Sequence, residues 1–339
     1  MDNKRAKSII NIYLGLWCIY SLQGLLYSSG GWISRSVLAI LILVSLYYFF
    51  YANLKYKLPS VLKVLSIIVA VFSIYGLIRI IQNEQITITE NYYTIKSWDY
   101  LKNILMSLLP VYTIYVGTKR NELTETGLKR WLIVFLLVGI IDFYSANAIN
   151  LAAARASGSM REEFTNNSAY TILSIVILIP LLYKRPLLQY LILGICIYYV
   201  LIGMKRGALL IGAVSILWFL LYSVRNNKNE KQKTWSLLLT MVVVFVAVYW
   251  INTLLENSDY FNTRIEKTLE GDTSSRNELY GVFLNHYLRE TNIWRFLFGN
   301  GADATIKIST NYAHNDWLEI AINNRAVMLV LYLIYWIVL

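Results

Sequence analysis

Residues 191–220 read LILGICIYYVLIGMKRGALLIGAVSILWFL, and their only charges are Lys205 and Arg206. On either side of that pair runs an apolar stretch of about 17 residues, close to the length that crosses roughly 30 Å of hydrocarbon as a helix. Two cations between two such stretches form a tight turn between crossings, with side chains reaching for the interface. The pattern repeats outward in both directions. Apolar runs fall at about 8–27, 37–54, 60–81, 101–117, 131–149, 168–183, 187–203, 208–224 and 235–253, and another closes the chain. They are rich in Leu, Ile and Tyr without the ten-residue dyad alternation of an outer-membrane barrel. The sequence predicts an all-α polytopic membrane protein of about ten transmembrane helices.

Composition agrees. Of 339 residues, 57% are hydrophobic and only 15% charged, against roughly 25% charged in soluble domains. That leaves too little polar surface to coat a soluble enzyme. The net charge of +11 is assigned to the Lys/Arg excess of cytoplasmic loops, not to nucleic-acid binding. With the N-terminus inside, the inside segments hold 15 Lys/Arg in 39 residues and the short outside loops 6 in 49, so this orientation is preferred over its reverse. Lys4, Arg5 and Lys7 precede a first transmembrane helix without a small-residue cleavage site. Cys18 and Cys196 lie inside apolar runs and read as buried hydrophobes.

Three segments follow: helices one to nine over 1–253, a large outside loop over 254–313, and a last helix over 314–339. The loop carries Leu279, Val282, Phe283 and Tyr287 at helical spacing, so a folded, partly helical cap is expected. The final run, AVMLVLYLIYWIVL, covers only about 21 Å as a helix and lacks a basic inside tail. The sequence therefore reads as C-terminally incomplete. Arg79 and Lys102, near helix ends, are expected to snorkel, and Asp142 to pair with a base.

The chain has no Walker A sequence, HExxH, paired CxxC, GxSxG or Asp-x-Asp. No metal or cofactor is expected. The remaining candidates each have two readings. Lys205-Arg206 is a snorkelling turn or an anion site where Gly207 permits close approach. Arg276, in GDTSSRNELY, is a solvated arginine, or it shares a phosphate with a helix N-terminus capped by Ser274 or Ser275. His314, opening HNDWLE, is a structural cap or a general base, for which a neutral imidazole is required. His286 and Arg289 read as a surface pair. The alternation of spans puts Arg206, Arg276 and His314 all on the outer face. Two guanidinium groups supply bidentate donors for phosphate oxygens, and the imidazole supplies a base.

At these residues the chain resembles the bacterial O-antigen ligase and O-antigen polymerase superfamily. Arg206-Gly-Ala-Leu-Leu210 matches the family's Arg-x-x-x-Leu element, and SSRNELY, LFGNGAD and AHNDWLE look like its loop sequence. Two positions depart: where family ligases follow the His-Asn pair, after nine residues, with Gly-x-x and a small or polar residue, this chain has Arg325 and Met328. The sequence thus does not predict a glycine bend there. The resemblance implies a metal-independent, inverting glycosyltransferase of the bacterial cytoplasmic membrane, acting at the outer face. Arg206 and Arg276 would bind the diphosphate of an undecaprenyl-diphosphate-linked glycan. His314 would be the catalytic base, with Lys205 and Asn315 supporting.

The expected partners are that lipid-linked donor, a glycan acceptor, the bilayer and other glycan-assembly membrane proteins. Polymerisation of repeat units is preferred. Ligation to a lipid A-core or other surface acceptor is the alternative of the same chemistry. A lipid-linked sugar flippase is the alternative of another class, which would call for midplane charges and related halves.

Overall fold

The computed structural model describes residues 3–27, 30–88, 93–156, 164–226, 230–270 and 276–339. In chain order α1 (Asn3–Ser21), α2 (Trp32–Lys55) and α3 (Ser60–Ile81) come first. A small antiparallel hairpin follows, β1 (Ile86–Ile88) paired with β2 (Tyr93–Ile95) so that Ile86 faces Ile95. Then come α4 (Asp99–Leu108), α5 (Pro110–Lys119) and α6 (Glu125–Ala156). α7 (Ser168–Ser174) tightens into a 3₁₀ stretch over Ile175–Leu182, and α8 (Pro186–Ile202), α9 (Arg206–Asn226) and α10 (Glu230–Asn257) complete the apolar series. The polar stretch holds α11 (Asp259–Leu269), α12 (Arg276–Leu288), α13 (Ile293–Phe298) and α14 (Ala304–Ser309). α15 (Asp316–Asn323) and α16 (Arg325–Val338) end the chain.

Among the described residues five helices are long and apolar enough to cross a membrane, at 32–55, 60–81, 125–156, 206–223 and 233–257. Four shorter apolar helices accompany them. Their outward faces carry bare hydrocarbon: Val214 is 70% exposed and Phe245 74%. In water such contiguous apolar surface drives association; in lipid it costs nothing. The chain is an all-α membrane protein.

Two expected helices are each divided. The run 101–117 becomes α4 and α5, meeting at Leu109 with Pro110 in the first turn of α5, where its missing N–H is least costly. The run 314–339 becomes α15 and α16, divided at Asn324 and Arg325, with Arg325 at φ +48°.

The chain forms two compact units, Met1–Leu38 with Asn121–Asp272, and Ala39–Arg120 with Thr273–Leu339. In the first, α6 to α10 pack around Phe143, Ile172, Leu193, Cys196 and Phe219, all sealed from solvent. Side-chain hydroxyls there are paired within the protein, as a hydrocarbon surround favours. The Tyr190 hydroxyl, for instance, stands 3.1 Å from each of Ser223 Oγ, the Ser236 carbonyl and Thr240 Oγ1, tying α8 to α9 and α10. Cys18 and Cys196 are buried free thiols.

In the second unit α3 packs on α4 and α16, and its C-terminal end holds the polar helices. Arg79 does not snorkel. It is 2% exposed and forms an ion pair with Asp303, itself 7% exposed at the side chain. It also donates to the Glu84 and Ile95 carbonyls, each at 3.4 Å. Lys307 bonds Glu84 at 2.7 Å, and the Tyr75 hydroxyl donates to the Phe298 carbonyl. α3 and the residue Glu84 just after it thus hold α13, the loop that follows it and α14 at three points, Phe298, Asp303 and Lys307. Lys102 pairs with Asp99 at 2.7 Å and lies over the Trp98 ring. No ion pair involves Asp142 among the described residues.

Removing one partner of a buried pair strands the other charge, at a cost of about 3–5 kcal/mol. Arg79→Ala is therefore expected to lower the melting midpoint of the detergent-solubilised protein sharply, and Arg79→Ala with Asp303→Ala to recover much of that loss. Equal midpoints for the single and double variants would contradict the pairing.

Candidate functional site

The site of the second unit is built on a small core of its own. Phe283 of α12, Ala304 of α14, Ala313 and Ile322 of α15 are buried together, with Leu279, Ile308 and Leu318 packed around them. This core fixes α12 against the segment that carries His314. Arg276, the first residue of α12, and His314 are both exposed, and they line one cavity of about 580 Å³ with Glu278, Ser309 and Asn311. Two of the residues singled out in the sequence, far apart along the chain, therefore meet. Ser274 and Ser275, the expected caps beside Arg276, lie outside the described residues.

His314 occupies a left-handed backbone position, φ +53°, uncommon for a non-glycine residue. Its neighbours hold it there. Asn315 is the N-cap of α15, its side-chain oxygen accepting from Trp317 N at 3.0 Å and Leu318 N at 3.4 Å. Asn315 thus has the cap role, leaving the imidazole beside it to face the cavity.

The larger anchor is Glu319. Its carboxylate accepts from Thr305 Oγ1 at 2.7 Å, Asn323 Nδ2 at 3.3 Å and the backbone N–H of Ala313. Burial pushes the Glu319 carboxyl up from its ordinary value, and these three donors work against that rise. One carboxylate so ties α14, the residue before His314 and the end of α15 together. Sequence reasoning passed over this residue. The available signal was its place one turn after a capping Asn, with its side chain free to reach back.

Arg325 supplies the bend for which the sequence offered no glycine. Its φ of +48° is a conformation that favours glycine, and its fully buried guanidinium secures it. That group donates to the Tyr287 and His286 carbonyls at 3.2 and 3.4 Å, satisfying the C-terminal turn of α12. It also lies over the Tyr287 ring, 4.9 Å from its centre, and 3.7 Å from Glu290. The phrase LFGNGAD has an equally local cause. Gly299 and Gly301 both have positive φ, and the amides of Asn300 and Gly301 donate to the Ile322 and Asn323 carbonyls, closing the end of α15.

Lys205 and Arg206 belong to the first unit, where they open α9 after Met204 at φ +50°. Arg206 is half-buried. The turn is pinned by Asn166, whose backbone N–H donates to the Gly203 carbonyl at 2.9 Å and whose side chain donates to the Phe143 carbonyl at 2.8 Å. Gly207 does permit a close approach, but by a side chain of this chain: a Cβ there would meet the Tyr170 hydroxyl at 2.1 Å. His286 bonds Asn300 through Nε2 at 3.2 Å and takes no part in the cavity with Arg276. Among the described residues no cluster of His, Cys, Asp and Glu has a metal-binding arrangement.

The fold and site define an all-α membrane protein in which polar helices place an arginine and a histidine on one cavity. Comparison with protein families, curated proteins and solved structures finds no match.

A Cβ at Gly299 would lie 2.2 Å from the Asn323 carbonyl oxygen, at a φ of +80° and ψ of −168° that is almost exclusive to glycine. Gly299→Ala should therefore lower the melting midpoint and expose the α12–α15 region to limited proteolysis. Wild-type melting and protection would show that the loop relaxes freely.

Proposed function

We propose that this chain is a membrane glycosyltransferase of the bacterial cytoplasmic membrane, with its site on the outer face, that polymerises undecaprenyl-diphosphate-linked oligosaccharide repeat units. The observation that carries the proposal is the shared cavity of Arg276 and His314. A guanidinium supplies two parallel donors to a diphosphate, and an imidazole across the same cavity can take a proton from an incoming hydroxyl. The sequence resemblance to the O-antigen ligase and polymerase superfamily supports the same roles. Arg206, in the other unit, has its diphosphate-binding role from that resemblance alone.

In the reaction the acceptor hydroxyl oxygen attacks the anomeric carbon of the donor glycan, and its proton passes to the imidazole of His314. The bond between that carbon and the diphosphate oxygen breaks, and the electron pair leaves on the diphosphate. Attack opposite the leaving group inverts the anomeric centre. Charge accumulates on the diphosphate as the bond breaks, so Arg276 stabilises the transition state more than the ground state. No metal is needed for this step, because the guanidinium carries the charge compensation. Ligation to a surface acceptor uses the same donor chemistry and differs only in the hydroxyl presented.

A positioned base contributes about 10²–10⁴ in rate. His314→Ala should reduce chain extension of carrier-linked glycan by at least that factor, with the protein still inserted and folded. Hydrogen bonds to charged groups are worth roughly 1.5–3 kcal/mol, so Arg276→Lys and Arg206→Lys should each lose about ten- to hundred-fold. Extension by purified protein, with gel analysis of surface glycan length in cells, measures both. Normal extension by His314→Ala would remove the base, and a flippase would extend nothing even as wild type.

A further inference from the structure

His314 lines a second cavity as well, of about 650 Å³, within the same unit. This volume falls in the roughly 300–1,000 Å³ range of small-molecule sites. Its walls differ in kind from those of the first. α4 contributes a stripe at helical spacing, Tyr100, Asn103, Ile104 and Ser107, and α15 contributes Asp316 and Glu319. Among the described residues the lining contains three carboxylates, those of Asp303, Asp316 and Glu319, and no lysine or arginine. Asp303 is matched by Arg79 and Glu319 by its three donors. Asp316 is exposed at the cavity and stands beside the Tyr332 hydroxyl.

Asn324, 1% exposed and beside the Tyr75 and Tyr100 hydroxyls, lines the same cavity with Asn103, Asn315 and Asn323. Carboxylates and amides that accept and donate, set among aromatic and aliphatic faces, match a hydroxyl-rich ring with an apolar underside. A phosphate or carboxylate entering here would face like charge and find no cation.

Resting on the proposed glycosyl transfer, we infer that the second cavity is the acceptor site, and that it takes the end of a glycan whose terminal sugar is neutral or amine-bearing, not phosphorylated or uronic. The two cavities then have complementary charge. The donor diphosphate lies with Arg276, the acceptor sugar lies with Asp316 and Asn324, and the imidazole that both cavities share receives the acceptor proton. Asp316 is a specificity residue for the acceptor, holding hydroxyl or ammonium groups and repelling anions.

The test uses full-length purified protein in detergent and two readouts. On an array of immobilised oligosaccharides ending in neutral, amino, uronic or phosphorylated sugars, the wild type should retain the neutral or amino-ended ones. Asp316→Asn and the cavity-filling Ile104→Trp should each weaken that retention at least tenfold. In transfer assays with carrier-linked repeat units isolated from the producing cells, Ile104→Trp should raise the acceptor KM at least tenfold and leave the donor KM unchanged. Preference for acidic ends, no retention of any sugar, or a rise in donor KM alone would overturn the inference. Transfer that is indifferent to both substitutions would overturn it while leaving the glycosyltransferase proposal standing. Sugar retention sensitive to both, without any transfer, would sustain the sugar site and end the glycosyltransferase proposal.

Discussion

The carboxylate of Glu319 determines where His314 stands. It is half-buried, it draws the Ala313 amide and the Thr305 hydroxyl to itself, and it bonds the Asn323 amide at the far end of its own helix. Three residues at positive φ, Asp303 and Thr310 at the two ends of α14 and His314 beyond it, belong to the segment tied to that single group. Such conformations cost free energy of order 1–3 kcal/mol each and persist only where surrounding contacts over-determine them. Here the contacts are charge-assisted hydrogen bonds, roughly twice as strong as neutral ones. The imidazole is thereby presented between two cavities and kept out of the core.

The same logic extends outward. Arg79, Lys307 and Tyr75 fasten α13, α14 and the loop between them to α3 and to Glu84 just after it. Arg325 fastens the end of α12 to the start of α16. A polar cap with a small core of its own cannot gain much from apolar burial, so buried cations supply rigidity and register. Arg79 and Arg325 are among the largest fully buried side chains in the protein. The proposed grip on an anionic leaving group depends on the same division of roles. The structural arginines are neutralised or capped by carbonyls, whereas Arg276 remains exposed at its cavity.

The membrane class was legible because crossing hydrocarbon imposes a length and a composition that few soluble sequences meet. The break at Pro110 was legible in principle from the proline alone. The break at Arg325 was not, since neither proline nor glycine marks it and the stabilising partners, Tyr287 at the end of α12 and Glu290 just after it, lie more than thirty positions away. The β1–β2 hairpin had a weak local signal, two short β-branched alternations in ITI and YTI, lost inside an assumed loop. Arg276 and His314 could be named from residue type and order, and their meeting in one cavity depends on the Phe283 and Ile322 core, which no local pattern encodes. Arg79 was misjudged for the same reason: its partner Asp303 is more than two hundred positions away in the chain, and a position near a helix end says nothing about it.

The central claim is that α12 and the segment before α15 bring two chemically distinct side chains to one externally accessible cavity. It is tested most directly in a variant without Cys18 and Cys196 that carries cysteines at positions 276 and 314. A short bis-maleimide should join the two positions within one chain, seen as a cross-linked peptide pair by mass spectrometry, and a membrane-impermeant maleimide added outside intact spheroplasts should block that link. Absence of the intrachain link, or a link blocked only by reagent admitted to the cytoplasm, would contradict the account.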